Sequence, residues 1–175
     1  MARFVGIVRL LSQASGVVAI LLILTALVVI CEMIFVREIL GRSSIWQTEF
    51  VTYALIAATF IGAPYVLLTK GHVNVDLVPL LVGHKTRVVL ALIAAVLSLT
   101  FCLVILWYSI AWWQEAFERN LLTNSMWRAR LWIPYLSVPV GMGLTALQFI
   151  ADIWALLTGR DMPFGLKPED NYGSA

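Results

Sequence analysis

The chain has 175 residues, 61% of them apolar and 13% charged, with 12 Lys or Arg against 10 Asp or Glu and a net charge of +2. A soluble domain of this size is nearer half apolar and a quarter charged, whereas mean hydropathy here is +0.92. Too few charges remain to cover a water-facing surface, and with 11 Gly and two Cys the composition also excludes collagen, disorder and a disulfide-rich secreted scaffold.

Uncharged runs mark the membrane. Between Arg9 and Glu32 lie 22 residues without a charge, between Glu49 and Lys70 20, between Arg87 and Glu115 27, and between Arg130 and Asp152 21. Each meets the roughly 20 residues needed to cross a ~30 Å hydrocarbon core at ~1.5 Å per residue. Lipid leaves backbone groups without partners, so only helices fit runs that lack the alternation of a barrel strand. The expectation is an all-α integral membrane protein with four transmembrane helices at about 14–36, 46–69, 88–113 and 131–157, forming a domain of residues 1–158 before a polar tail, 159–175.

Residues 1–13 read as a short polar-flanked lead-in. The first span follows Arg3 and Arg9, but its apolar stretch is too long for a signal-peptide core. Cys31-Glu32-Met33 follows it rather than a small-residue cleavage site, so it is expected to be retained. Leu, Ile and Val dominate this span, which assigns it to lipid or a partner. The other three carry small residues four apart: Ala54, Ala58 and Gly62; Ala94, Ser98 and Cys102; Ser137, Gly141 and Thr145. Such stripes let helix backbones approach closely, so helices two to four are expected to pack together. Pro64 and Pro139 each remove a backbone bond and should bend their helices, while Pro134 lies near a helix start, where proline is tolerated.

In the second loop Gly71 suits a helix C-cap and Asp76 the N-cap of a short helix containing Pro79. That helix is too short to span and apolar enough to lie in the interface. The third loop, Glu115 to Arg130, is expected to continue the third helix for a turn or two. The N-terminus, second loop and tail hold seven Lys or Arg, the first and third loops five. This places both termini in the cytoplasm by the positive-inside rule. Six of the seven Trp then fall in the outer half, read either as a lopsided interfacial belt or as a rim that meets a partner. No disulfide is expected between Cys31 and Cys102.

Ionisable groups inside a bilayer are costly enough to mark function, and these spans contain almost none. Glu32, Glu49 and Asp152 fall near span ends. Glu32 and Glu49 are expected at the outer face near Arg37 and Arg42, as interfacial ion pairs or as an intersubunit salt bridge. His72 and His84 share one loop, so no haem or metal set can form, and no nucleophile elbow or phosphate loop occurs. No basic patch suits nucleic acid. The chain is therefore expected to be no enzyme, with no cofactor and no catalytic, substrate-binding or metal-binding residue. A self-contained transporter would place polar groups at the midplane, so the pattern suggests a helper subunit. The competing class is a four-helix channel or exporter forming a homo-oligomer, with Thr48, Thr52, Thr59 or Ser98 as a thin polar stripe.

Three ordered segments carry a resemblance: Trp46-Gln47-Thr48-Glu49, Gly71-His72-Val73-Asn74-Val75-Asp76, and Trp132-Ile133-Pro134-Tyr135-Leu136-Ser137-Val138-Pro139-Val140-Gly141. In a four-span chain this set resembles the small permease subunit (DctQ type) of tripartite ATP-independent periplasmic (TRAP) transporters, over roughly residues 10–157. The resemblance implies a multi-pass protein of the bacterial inner membrane, surrounded by membrane lipids. It would pack about 1:1 against a large permease subunit that carries the sodium and substrate sites. A periplasmic binding protein would deliver an organic acid, such as sialic acid or a C4-dicarboxylate, and an ion gradient would drive uptake. By matching position, Trp46 and Glu49 would fix the outer end of helix two. Gly71, His72 and Asp76 would shape the inner loop, and Trp132, Pro134, Pro139 and Gly141 would shape helix four.

Overall fold

A computed structural model describes residues 2–42, 45–69 and 84–158. Gly71, His72, Asp76, the expected interfacial helix and the tail 159–175 lie outside the described residues. The elements are α1 (Ala2–Ile39), α2 (Trp46–Leu68), α3 (His84–Glu118), the single turn α4 (Trp132–Tyr135) and α5 (Ser137–Leu157). Four helical stretches, Phe4–Ile39, Trp46–Leu68, Val88–Glu118 and Trp132–Leu157, are long and apolar enough to cross a membrane. The lead-in is helical too, because α1 runs unbroken from Ala2.

α4 and α5 are one span interrupted at Leu136. Pro139 explains the break: it has no N–H to give the Tyr135 carbonyl, so the ladder lapses one turn before it. The Ser137 hydroxyl takes up part of the slack by donating to the Pro134 carbonyl at 2.6 Å. The α2 helix runs through Pro64, which is fully buried against neighbouring helices.

The packing order differs from the expected one. α1 does not stand apart as a bulky, lipid-facing helix; it packs along nearly the whole of α2. Its contact face is a narrow file of small residues, Ser12, Ser15, Gly16, Ala19 and Ala26, all buried. Large side chains fill the remainder of its circumference, and they dominate its composition. A Cβ on Gly16 would run into the Tyr65 ring, and one on Gly62 would lie 3.1 Å from the Ala19 methyl. Further out, the Gln47 amide meets Glu32 at 3.1 Å and the Thr48 hydroxyl meets the Met33 sulfur at 3.6 Å. Paired positions therefore drift steadily in opposite directions, the register of two antiparallel helices in close contact.

α5 is the hub. It packs against α2 on one side and α3 on the other, and touches α1 as well, whereas α2 and α3 barely meet. Its two buried files explain this: Ser137, Gly141, Thr145 and Gln148 on one face, Pro139 and Ala146 on another. Gly141 is the tightest point, since a Cβ there would strike the backbone carbonyl of Phe60 in α2. Of the stripe read from sequence on α3, Ser98 and Cys102 lie on the packed face and Ala94 does not. Ala94 is exposed, and the face turned to α5 runs through Ala91, Cys102 and Ala116, with Ala95, Ser98 and Ser109 half-buried between them. These positions alternate three and four apart, the spacing of a helix that keeps one seam against a neighbour.

Candidate functional site: a subunit interface

The inner half holds a polar chain that the spans' apolar character conceals. The Ser12 hydroxyl on α1 donates to Gln148 Oε1 on α5 at 2.8 Å, and Gln148 Nε2 donates to Asp152 Oδ1 at 2.8 Å. Ser15 adds a bond to the Ser12 carbonyl, also at 2.8 Å. Ser12 and Gln148 are 1% and 3% exposed, so the pair lies wholly between helices. In apolar surroundings such a bond joins two helices with roughly 0.6 kcal/mol on average and up to about 1.7. Gln148 gives a local sequence signal, an amide four residues from Asp152 on one helix face, but Ser12 lies 136 positions away. No local pattern connects them.

At the outer end the expected ion pairing is not what forms. Among the described residues neither Glu32 nor Glu49 pairs with Arg37 or Arg42; Glu32 accepts the Gln47 amide instead. Glu49 stands in the first turn of α2, where the helix dipole favours a negative charge by about 0.3–1 kcal/mol. Its Oε2 is nevertheless shielded from solvent with no hydrogen-bond partner, as are Gln47 Oε1 and Trp113 Nε1. Leaving a buried acceptor unpaired costs about 1–3 kcal/mol, and more when it is charged. Glu49 as a whole is only half-buried, so its other oxygen keeps access to solvent while Oε2 is left without a partner in the isolated chain.

Above Glu49 the aromatic rim is organised rather than scattered. Trp46 meets Phe50 edge-on at 6.2 Å and Trp127 at 6.3 Å; Phe117 stacks on Trp113 at 5.6 Å and meets Trp132 edge-on at 5.7 Å. The loop after α3 makes these meetings possible. Thr123 N–H bonds the Ala129 carbonyl at 2.9 Å and Leu131 N–H bonds Leu121 at 3.0 Å. Asn120 and Arg128 adopt φ of 46° and 48° at its bends. The Thr123 hydroxyl braces the turn by accepting the Ala129 N–H at 3.1 Å. The loop thus folds into a short hairpin that carries Trp127 across to α2.

Beneath that hairpin, the gap between α2 and α3 is an apolar trough with a cavity of about 390 Å³. Tyr53, Ile56 and Phe60 form the α2 wall, Val104, Tyr108 and Trp112 the α3 wall, and Pro134, Tyr135 and Val138 the floor. Glu49, Tyr53, Ile56 and Phe60 are spaced four, three and four apart, so the under-satisfied carboxylate heads the same stripe that lines the trough. On α3, Trp107 and Trp112 are 76% and 71% exposed, with nothing among the described residues to cover them.

The predicted site residues therefore fall in two groups. Trp46, Glu49, Trp132 and Pro134 come together at the outer rim and head of the trough. Pro139 and Gly141 lie buried in the helix seams, where they shape packing and face no partner. Sequence reading missed Gln148, Ser12 and the tyrosines of the trough, although the three-four spacing from Glu49 was available. Among the described residues no three His, Cys, Asp or Glu side chains gather to hold a metal ion.

Residues 26–159 match the family described as tripartite ATP-independent periplasmic transporters, DctQ component. The chain is 28% identical over 133 residues to the C4-dicarboxylate TRAP transporter small permease protein DctQ of Pseudomonas aeruginosa, covering 74% of this chain and 63% of that protein. It is 21% identical over 148 residues to the protein of the same name from Vibrio cholerae, covering 73% of this chain and 64% of that one. The chain spans a little under two thirds of the length of these curated relatives. With four membrane-crossing helices and a family match over most of its length, this chain is a multi-pass inner-membrane protein that belongs to the DctQ family of TRAP transporter small permease subunits.

Proposed function

We propose that this chain works as the small subunit beside a large permease, about one to one. There it extends a static scaffold while the large subunit moves substrate. The observation that carries this reading is the family match over residues 26–159. The apolar surface left exposed on α3 and on the flank of α2 that faces it supports it. A periplasmic binding protein would deliver the substrate, and an ion gradient, with sodium as coupling ion, would drive uptake. The substrate class we infer is an organic acid; C4-dicarboxylate is the word in both relatives' names. Trp46, Glu49, Trp132 and Pro134 would act at the outer end by holding the subunits together, and no residue of this chain would touch substrate.

Affinity purification of the chain from its native membrane in mild detergent, followed by mass spectrometry, tests this. A stoichiometric many-span permease should come down with it. Recovery of the chain alone as a defined homo-oligomer would overturn the reading and put a channel or exporter in its place.

A further inference from the structure

We propose that the trough between α2 and α3 seats a transmembrane helix of the large permease subunit, with Glu49 receiving a Lys or Arg side chain from that helix. This rests on the accessory-subunit reading above and adds the face and the contact.

Charge supplies the first argument. Glu49 Oε2 is shielded from water and has no hydrogen-bond partner, and Glu49 heads the stripe Tyr53, Ile56, Phe60 that forms the trough's α2 wall. A carboxylate so placed is complementary to a cation arriving along that wall.

Shape supplies the second. α2 and α3 both rest on α5 and barely touch each other, so among the described residues nothing closes the trough along the membrane plane. Its outer end lies under the hairpin that ties Trp127 to Trp46. An occupant must therefore come from within the bilayer. The phenols of Tyr53, Tyr108 and Tyr135 stand among walls that are apolar apart from the Trp112 indole and the Ser109 hydroxyl, which the Leu106 carbonyl takes up. Acyl chains offer a phenol no hydrogen bond, whereas a neighbouring helix offers side-chain and carbonyl partners. Trp112, 71% exposed and lining the trough, puts on that face the residue type enriched at the anchors of protein interfaces.

The test is photo-crosslinking in the native membrane, with the complete transporter expressed. A benzophenone amino acid is placed at Ile56 or Tyr108 in the trough, and at Leu24 or Val28 on the exposed face of α1 as comparison. The expected result is a covalent adduct with the large subunit from both trough positions and weak or no adduct from α1. Glu49→Gln should lower trough crosslinking and recovered complex by roughly three- to fifteen-fold, the range for one polar contact between membrane helices. Glu49→Asp, which keeps the charge, should restore part of the loss.

Trough adducts with lipid alone, or with a second copy of this chain, would overturn the proposal, as would large-subunit adducts from α1 only. An unchanged yield in Glu49→Gln would remove the charge contact. In all these cases the large subunit still co-purifies with the unmodified chain. Its failure to do so would instead overturn the accessory-subunit reading itself.

Discussion

Two flanks of α2 are built from opposite materials. Toward α1 and α5 the helix offers Ala54, Ala58 and Gly62, and the backbones close to where an added methyl has no room. Toward α3 it offers Tyr53, Ile56 and Phe60, and α3 does not close on them. In lipid, burying an apolar side chain gains little over leaving it among acyl chains, so close backbone approach and polar bonds hold helices together. The small-residue flank is therefore the one that holds this chain together. The large-residue flank contributes little to the fold and remains available for a partner.

That contrast is broken most sharply at Gly141. Its missing Cβ faces the Phe60 carbonyl, a backbone group that cannot rotate aside. Gly141→Ala should force α2 and α5 apart and cost about 1–3 kcal/mol or more, the range for overpacking a filled interior. Cys102 is buried between α3 and α5 while Cys31 is exposed. With Cys31→Ser as background, maleimide labelling of Cys102 in detergent reports opening of the bundle. It should accelerate at lower temperature in Gly141→Ala, and an unchanged labelling profile would mean that the seam has slack.

Gly16→Ala probes the α1 side of the same flank with a softer obstacle. The methyl would meet the Tyr65 ring, 37% exposed and able to swing outward, and the Tyr65 Cβ, which would have to shift with its helix. The loss should be smaller than at Gly141, and Tyr65→Ala in the same chain should recover part of it. Strict additivity of the two changes would show that they do not share this contact.

Much of this was legible in the sequence. Four spans follow from the spacing of charges, and Ala54, Ala58 and Gly62, like Ser137, Gly141 and Thr145, do mark contact faces. The failure at α1 has a physical cause. Composition averages over the whole helix, whereas packing depends on one narrow face, so Ser12, Gly16 and Ala19 were hidden among Leu, Ile and Val. The misplacement of Ala94 on α3 is similar: a four-residue repeat advances 400°, so stepping back in fours from Cys102 through Ser98 overshoots the seam, which alternating steps of three and four follow to Ala95 and Ala91. The rim residues Trp46, Glu49 and Trp132 were legible because their types stand out. The trough was not, because its α2 and α3 walls barely touch each other and are bridged in space by α4 and α5, which no spacing within either helix reveals.

Gln148 sharpens the comparison at the inner end, where α1 and α5 are held by a hydrogen bond instead of by close fit. Gln148→Leu leaves the buried Ser12 hydroxyl without its acceptor. Destabilisation of about 0.6–2 kcal/mol should follow, read as earlier Cys102 labelling. Ser12→Ala alone should cost a similar amount, and the pair less than the sum, because both remove the same bond. Full additivity would assign the loss to packing.

The smallest effect on the isolated chain should come from the trough, and it separates the two flanks most directly. Tyr108 is 66% exposed and its ring lies against no other helix across the gap. Tyr108→Leu removes a phenol and part of a ring from a surface that the fold does not use. Stability of the purified chain should stay within about 0.5 kcal/mol of the original, as for exposed positions generally. Recovery of the large subunit from membranes should fall, because that surface is where the partner would sit. The same substitution thus separates what folds the chain from what docks it. A stability loss comparable to that at Gly141 would mean that α2 and α3 depend on each other after all. Unchanged stability with undiminished recovery would mean that the partner uses another face.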